Sequence, residues 1–474
     1  MLFSDQFNVD MDGSEDWFDP LLSSDIKLFI DPFLIFQNEF GPFKGAHREI
    51  IDFYEYAFNC VAKAAGKRES PHWLKALSIL KTPEAAEFCL GFTARGTDGA
   101  GAASGKARLL AEGLEKAIAF GLSSPEHFET VQLFREKIGR DTISDATANI
   151  LRVRFAKYTE RICKKLKLDT NTVLHPRAKF DLVRGRWQAA NISAPINPFN
   201  HKQVLLCPKA YLKPLPTINA KDYWGYCFDE DPDDLRREFG EEITRSVKKE
   251  IIIENALKHF DSVESFVAFL EAAGVAPYDI DGDPNGLIRW YHATRDYIAS
   301  HPVRAKIRDD ADLEKFIDEI IQAFQTFVED NGGWKLMFSD DGAPRSEEIC
   351  QLAFLGIVKH ICHQNNIDVS KEANIGRGPV DFKLSRGIEL RALIEMKLVS
   401  NTKFWNGLER QLPKYLEAEG VRVGKFLIIA FDSDELGKVK DAQNRANDLG
   451  KKLKYKLTSK TVLVEYKPPS ASKL

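Results

Sequence analysis

The sequence lacks a long apolar run. Its most hydrophobic stretch, IKLFIDPFLIF, is interrupted by Asp31 and Pro32, whereas a helix that crosses a bilayer needs about 20 predominantly apolar residues. We therefore expect no membrane-spanning segment. The first residues are acidic rather than basic, and this composition argues against a signal peptide.

Cysteine pairs are also missing. Seven cysteines are scattered along the chain without a CxxC motif, a distribution typical of free buried thiols and not of disulfides or structural zinc. A reducing, cytoplasmic environment is therefore expected. The last three residues, Ser472, Lys473 and Leu474, match a peroxisomal address, but so short a match arises readily by chance and we treat it as coincidental.

What is present is the composition of an ordinary globular protein. The 474 residues are 44% hydrophobic and 29% charged, with room for about three domains. The net charge of -4 hides an asymmetry, because residues 341–474 carry 23 Lys+Arg against 17 Asp+Glu, and the preceding residues carry 43 against 53. This excess is weak evidence for a polyanionic partner of the C-terminal part.

The apolar pattern changes along the chain. The first 40 residues are acidic, and helical periodicity dominates the N-terminal part after them. The periodicity is clearest over residues 311–330, which Gly332 and Gly333 follow as a helix stop. We predict a domain boundary directly after these glycines. Residues 1–335 are then a mainly helical α+β region, which could contain two subdomains, and residues 336–474 form a second domain.

Beyond that boundary, helical and strand-like segments alternate in the order α, β, β, α, β, α, β. A helix over SEEICQLAFLGIVKHIC precedes two strands, GPVDFKL and RALIEMKL, and a helix over NTKFWNGLERQLPKYLEAEG follows them. This order predicts the α/β fold class, with a mixed sheet flanked by helices.

The two strands carry charge in an unusual pattern. If they form a hairpin that turns at Gly387 and Ile388, Asp381 lies directly opposite Glu395. Strand alternation then places Lys397 on the same face as the two carboxylates. Like charges that oppose each other on a sheet are destabilising, so this arrangement predicts a compensating cation.

A hard divalent ion is suited to that position. Magnesium prefers oxygen ligands and keeps several waters, so two carboxylates and a backbone carbonyl leave room for water and a phosphate oxygen. A metal-bound water is a candidate nucleophile, and Lys397 could orient it or stabilise charge on the phosphate. The cofactor we expect is therefore Mg2+, for which Mn2+ could substitute.

These residues resemble a known signature. Pro379, Val380 and Asp381, followed by Glu395, Met396 and Lys397, look like the motif of the PD-(D/E)XK nuclease superfamily. The resemblance covers roughly residues 340–470 and implies a restriction-endonuclease-like fold and a metal-dependent nuclease. By this resemblance the metal ligands are Asp381, Glu395 and the backbone carbonyl of Met396.

Two flanking elements extend the resemblance. Such nucleases often carry an acidic residue on the helix before the hairpin. Here Glu347 and Glu348 both qualify and periodicity does not choose between them, although we prefer Glu347. Gln411 and Tyr415 reproduce the Gln-x-x-x-Tyr element of relatives of the RecB nuclease, and Pro413 between them departs from a regular helix.

Several readings of the whole chain remain open. The resemblance implies hydrolysis of nucleic acid, with DNA as the expected substrate, and Lys403 and Arg410 could contact its phosphates, although a solvated basic face explains them equally well. A nuclease domain behind a large appendage is reminiscent of prokaryotic antiphage or restriction effectors, an analogy of architecture. The appendage would serve recognition, homo-oligomerisation, binding of a partner protein or control.

Two alternatives concern activity. The protein could bind nucleic acid or act as a scaffold without cleaving, retaining the nuclease fold for its shape. It could also be gated by an effector that binds the Gly-rich segment 91–106, which fails as a phosphate loop because Ala107 stands where a serine or threonine is required.

Overall fold

The structure is a computed structural model that describes residues 1–23, 25–91, 100–119, 127–240, 243–339, 342–374, 379–387 and 390–467. They form an α/β protein with two compact units, divided between Tyr278 and Asp279. We call these the first unit and the second unit. None of the described helices combines the length and the apolar character needed to cross a bilayer.

The first unit is mainly helical, and its strands form two small antiparallel pairs. Its helices are α1 (Phe3–Phe7), α2 (Pro32–Gln37), α3 (Ala46–Ala64), α4 (Pro71–Leu80), α5 (Ala100–Ala119), α6 (Arg140–Ile150), α7 (Arg152–Leu166), α8 (Ala220–Glu230), α9 (Pro232–Phe239), α10 (Lys249–Lys258) and α11 (Phe260–Ala273). Its strands are β1 (Phe29–Ile30), β2 (Asn171–Asp181), β3 (Arg186–Ala194) and β4 (Leu212–Lys213), and β1 pairs with β4 and β2 with β3.

Helix α6 is buried along almost its whole length, from Thr142 to Ile150. Its polar side chains are bonded, as buried polar groups must be. Asp145 accepts hydrogen bonds from the Ala85 amide at 3.0 Å and from the Lys106 ammonium at 2.7 Å. Lys106, at the end of the Gly-rich segment, therefore neutralises a buried carboxylate, and residues 92–99 of that segment lie outside the described residues.

The second unit is built on a sheet. Its helices are α12 (Arg289–Ser300), α13 (Asp310–Asp330), α14 (Glu347–Gln364), α15 (Phe404–Asn406), α16 (Leu412–Glu419), α17 (Ser433–Lys438) and α18 (Ala442–Leu453). Its strands are β5 (Asp368–Asn374), β6 (Pro379–Arg386), β7 (Leu390–Leu398), β8 (Val423–Ala430) and β9 (Lys456–Leu463), hydrogen-bonded in the order β5-β6-β7-β8-β9.

The sheet is mixed, as the order of elements predicts. Strand β6 is antiparallel to both β5 and β7, whereas β8 runs parallel to both β7 and β9. The hairpin of β6 and β7 has the predicted register, because Phe382 pairs with Ile394 and Arg386 pairs with Leu390. The register is thereby confirmed, although Ile388 in the predicted turn lies outside the described residues.

Helices cover both faces of the sheet. Phe382, Ile394 and Lys425 are neighbours across three strands and share one face. On this face Phe354 of α14 packs edge-on against Phe382, with ring centroids 5.0 Å apart. On the other face Phe404 of α15 packs against Phe426 of β8 at 5.4 Å. Strand β7 is therefore buried on both sides over most of its length, including Glu395 and Lys397.

The helix over residues 404–419 is continuous but irregular. Between α15 and α16, Gly407–Gln411 forms a π-helical turn. Pro413 has no N–H to donate to the carbonyl of Glu409, and a wider turn accommodates that missing bond. The predicted departure at Pro413 thus takes the form of a local change of helical pitch.

Three sequence expectations differ from the structure. Strand β5 was not predicted, because its sequence DVSKEAN has few apolar residues. The segment 434–453, expected as one helix, forms α17 and α18. The compact units divide at Tyr278 rather than near residue 335, since α13 packs on the sheet of the second unit.

A buried lysine joins α13 to the sheet. The side chain of Lys425 is 3% exposed, and its ammonium lies 2.7 Å from Asp318 and 3.6 Å from Glu314 of α13. A buried charge without its partners is strongly destabilising, whereas an apolar replacement is often neutral. The ion pair therefore contributes to the placement of this helix.

We expect the double substitution Asp318→Ala and Glu314→Ala to destabilise the protein by about 2 kcal/mol, because it leaves the Lys425 ammonium buried without a carboxylate. Lys425→Met should be within about 1 kcal/mol of the wild type. Urea-induced unfolding measures both. Glu319→Ala, which removes an exposed carboxylate of α13, is the control, and a double variant as stable as this control would contradict the role of Lys425.

Candidate functional site

The carboxylate of Asp381 is held against strand β7. The register of the hairpin, extended by one residue, brings Asp381 opposite Glu395. At this point the Met396 amide donates a hydrogen bond to the Asp381 Oδ2 atom at 2.7 Å. The side chain thus bonds to the backbone next to Glu395, which fixes the two carboxylates near each other.

The ammonium of Lys397 lies among three carboxylates. Its Nζ atom is 2.9 Å from Glu347 Oε1, 3.2 Å from Glu395 Oε1 and 3.7 Å from Asp381 Oδ2. Four residues that the sequence singled out, on α14, β6 and β7, are therefore brought together. We call Glu347, Asp381, Glu395 and Lys397 the charged cluster.

Glu347 enters the charged cluster from the first turn of α14. Its Oε2 atom accepts hydrogen bonds from the Leu398 amide at 3.3 Å and from Asn401 Nδ2 at 3.1 Å. Of the two glutamates that the sequence left open, Glu347 is the one whose carboxylate reaches Lys397. Its position is set by strand β7 and by the turn that follows it.

Burial increases through the cluster. The side chain of Glu347 is 23% exposed, those of Asp381 and Lys397 are largely buried, and that of Glu395 is 2% exposed. The Oε2 atom of Glu395 is buried and has no hydrogen-bond partner among the described residues. An unsatisfied buried carboxylate oxygen is costly, so this atom marks a place where positive charge or a proton is needed.

Burial and the neighbouring Asp381 raise the pKa of Glu395 from its ordinary value to about 8, although Lys397 opposes the shift. Burial lowers the pKa of Lys397, but Asp381 and Glu395 outweigh this effect and raise it. Near neutral pH the lysine is therefore charged and Glu395 retains a proton. Perturbed titration of this kind is common at functional sites, though structural ion-pair networks also produce it.

The two residues of the Gln-x-x-x-Tyr element, Gln411 and Tyr415, have unequal support as members of the site. Burial, followed by Glu395 and Asp381, raises the pKa of the Tyr415 phenol, which indicates that the ring lies near both carboxylates. Gln411 has a buried Oε1 atom without a hydrogen-bond partner in the described part of the chain. Both side chains thus remain candidates, and the π-helical turn at Gln411 is a feature often found at functional sites.

The other residues predicted for the site, Lys403, Arg410 and Met396, are not members of the charged cluster. Lys403 and Arg410 are exposed, so they are free to meet a phosphate but are also consistent with a solvated face. The Met396 side chain is fully buried on the opposite face of β7. Its amide is committed to Asp381, and the predicted role of its carbonyl stays a prediction.

Two residues of the site were missed. Asn401 holds Glu347 through its amide group while its Oδ1 atom accepts from the Lys403 amide at 2.9 Å. A polar residue in the short turn before a helix is the signal that could have indicated it. Gly407 lies against the stem of Lys397, where a Cβ atom would come within 3.0 Å of the lysine Cγ and of the Phe426 ring.

The donors of the charged cluster suit a hard divalent cation. Among the described residues no group of three or more His, Cys, Asp or Glu side chains is arranged as a metal site. Nevertheless, Asp381 and Glu395 supply carboxylate oxygens, one of which has no hydrogen-bond partner among the described residues. The raised pKa of Glu395 indicates that Lys397 does not fully compensate negative charge on both groups, which a divalent cation would do. These residues fit magnesium or manganese.

Comparisons with known proteins give two family matches. Residues 8–219 match a domain of unknown function (DUF8370), and residues 313–433 match a second domain of unknown function (DUF8371). The first match lies within the first unit, and the second contains every member of the charged cluster. No curated protein and no solved structure matches the chain.

The raised pKa of Glu395 predicts a pH-dependent stability. The folded protein holds a proton that the unfolded chain releases above about pH 4.5, so the free energy of unfolding falls as pH rises towards about 8 and then levels. The loss is at most about 5 kcal/mol at about 1.36 kcal/mol per pKa unit. We expect Glu395→Gln, measured by urea unfolding in EDTA, to abolish most of this loss.

Glu409→Gln is the control for this measurement, because it replaces an exposed carboxylate of the same unit. Its stability should follow the wild-type pH dependence. Identical pH profiles for the wild type and Glu395→Gln would show that Glu395 is not held in a protonated state.

Proposed function

We propose that the second unit is a Mg2+-dependent nuclease that hydrolyses phosphodiester bonds of nucleic acid, with DNA as the expected substrate. The observation that carries the proposal is the unsatisfied, buried oxygen of Glu395 beside Asp381 and Lys397. The resemblance of these residues to the PD-(D/E)XK signature supports the same reading. So does the five-stranded mixed sheet, whose central strand β7 carries Glu395 and Lys397.

Hydrolysis of a phosphodiester forms one P–O bond to water and breaks one P–O bond to the sugar. The attacking water loses a proton, and the leaving sugar oxygen gains one. A bound divalent metal would make the attacking water more acidic and offset the phosphate charge. Asp381, Glu395 and Glu347 would hold it, with the backbone carbonyl of Met396 as the further ligand that the resemblance implies.

The chain itself contributes to the reaction a positive charge, the ammonium of Lys397, that is already oriented. Lys397 is held by Glu347 and packed under Gly407, so its ammonium does not have to be ordered when substrate binds. A fixed cation of this kind stabilises negative charge that develops on phosphate. Glu347 is in turn fixed by Leu398 and Asn401. Asn401 is therefore a positioning residue.

One observation favours a second candidate function. The ammonium of Lys397 already contacts all three carboxylates, and a cluster that is neutralised internally could serve stability alone. In that case the protein would be a non-cleaving nucleic-acid-binding or scaffold protein. Gating by an effector at the Gly-rich segment remains a further possibility, in which activity appears only with a small molecule or a phage component.

The first unit would then supply recognition, oligomerisation or control. Its size relative to the nuclease unit is the basis for proposing a cytoplasmic antiphage or restriction effector, by analogy of architecture alone. The net charge of the chain does not oppose this assignment. Binding and cleavage must therefore be measured on the full chain.

A cleavage assay tests the proposal. Its substrates are plasmid, linear and single-stranded DNA and RNA, each with Mg2+ or Mn2+. We expect metal-dependent cleavage by the wild type and at least a hundredfold loss in Asp381→Ala and in Lys397→Ala, because each removes charge at the reacting phosphate. Lys414→Ala, on the exposed side of α16, is the matched control and should retain wild-type activity.

The outcomes separate the candidate functions. Cleavage that disappears in both cluster variants but not in Lys414→Ala supports the nuclease. Binding of equal strength in all variants without cleavage of any substrate supports the scaffold. Cleavage that survives in Lys397→Ala and Asp381→Ala would place the reaction outside the charged cluster.

Glu347 and Glu348 can be distinguished by paired substitutions. Glu347 contacts Lys397, Leu398 and Asn401, so we expect Glu347→Gln to lower cleavage about tenfold or more and to weaken Mn2+ binding. Glu348→Gln, one residue further along α14, should leave both unchanged. Calorimetric titration with Mn2+ and initial cleavage rates give the two measurements, and the reverse order of effects would exchange the two roles.

A further inference from the structure

The first unit carries a two-stranded ribbon, β2 and β3, with an exposed tip. The strands are joined through residues 182–185, and the last pairs before the turn are Phe180 with Trp187 and Asp181 with Arg186. Leu182 is 42% exposed and Val183 is 95% exposed. Two adjacent aliphatic side chains are thus presented to solvent at the end of a defined element.

The inner face of the ribbon is anchored. Phe180 and Trp187 pack against Phe53 of α3, with ring centroids 4.9 and 5.5 Å apart. The indole of Trp187 donates a hydrogen bond to the Ile79 carbonyl at 3.0 Å. Gly185 lies so close to the Tyr56 ring that a Cβ atom could not be accommodated there. The tip is therefore positioned by the body of the unit.

The turn itself is ordered by a carboxylate. Asp181 Oδ1 accepts hydrogen bonds from the amides of Val183 at 3.0 Å and Arg184 at 3.1 Å, and its Oδ2 atom accepts from Gln188. Such a turn loses little conformational entropy when it contacts a partner. Exposed aliphatic residues on such a preorganised turn are better suited to insertion into a partner than aliphatic residues that are exposed elsewhere on a surface.

Charge around the tip is positive. Lys179, Arg184 and Arg186 are exposed, and residues 171–194, which contain both strands of the ribbon, carry 4 Lys+Arg against 1 Asp+Glu. The rest of residues 1–278 carries 32 against 39. A basic ribbon in an otherwise acidic unit is complementary to a polyanion.

We propose that this ribbon is a nucleic-acid-binding element that places Leu182 and Val183 in a groove of duplex DNA while Lys179, Arg184 and Arg186 contact the flanking phosphates. Two-stranded ribbons fit a DNA groove, and apolar side chains can enter between base steps and bend the duplex. The inference rests on the proposed function for the identity of the partner. An anionic membrane would use similar chemistry, and the test below distinguishes it.

Binding of a labelled 30-base-pair duplex, measured by fluorescence anisotropy in EDTA so that no cleavage occurs, is the experiment. For the triple variant Lys179→Gln, Arg184→Gln and Arg186→Gln we expect at least tenfold weaker binding. The slope of log K against log salt should be smaller by about 2 to 3, because each lost phosphate contact removes about 0.9.

A second variant tests the apolar contact. Leu182→Ser with Val183→Ser should weaken binding about tenfold with an unchanged salt slope, because it removes no charge, and should reduce duplex bending measured by energy transfer between end labels. The charge-matched control is Lys116→Gln, Lys221→Gln and Lys248→Gln, which removes three exposed lysines of the same unit. Circular dichroism and thermal melting confirm that each variant is folded.

The inference would be overturned if both ribbon variants bound the duplex with wild-type affinity, or if the control variant lost as much affinity as they do. It would also be overturned if the wild type did not bind the duplex. Ribbon-dependent binding to phosphatidylserine vesicles without DNA binding would overturn it in favour of a membrane. Ribbon-dependent DNA binding by a protein that never cleaves would contradict only the nuclease. Cleavage that does not depend on the ribbon would contradict only the present inference.

Discussion

The second unit depends on a constraint at the centre of its sheet, where β7 is covered on both faces and yet carries two buried charged residues, Glu395 and Lys397. Ions that leave water must be paired, or their burial costs several kcal/mol each. Lys397 is the one cation of the charged cluster, shared by Glu347, Asp381 and Glu395. The first turn of α14, the end of β6 and the close approach of Gly407 are all arranged around that ammonium. The fold and the candidate chemistry thus rest on the same ion pairs.

The negative charge of the charged cluster is not fully neutralised by Lys397, and the uncompensated group is Glu395. One oxygen of Glu395 is buried without a partner among the described residues, and the pKa of that carboxyl is raised to about 8. A network selected for stability alone would gain by an apolar substitution at this position. An unsatisfied acid beside a lysine is in keeping with the proposed metal site, because a bound cation would displace the proton of Glu395 and pair with its carboxylate. The cost in stability is tolerable because the surrounding strands are apolar and well packed.

Much of this site could be predicted from sequence because it is local. Alternation along β6 and β7 and a turn near Gly387 determine the register, so the meeting of Asp381 and Glu395 follows from position alone. The missed features depend on long-range packing. The apolar stripe of α13 shows which face is buried but not that Asp318 would pair with Lys425, so the sequence does not indicate that α13 packs on the sheet of the second unit. Strand β5, polar and at the edge of the sheet, has no periodic signal.

The same distinction applies to the first unit, where sequence periodicity predicts helices but is silent on the ribbon of β2 and β3. The four basic residues of the ribbon are ordinary in number for a surface segment. They acquire meaning because the fold anchors Phe180 and Trp187 and leaves Val183 outside. The acidic residues elsewhere in the unit would repel a polyanion that approaches in other orientations. Local positive charge within a negative surface therefore restricts where such a partner can bind, even though the net charge of the chain is negative.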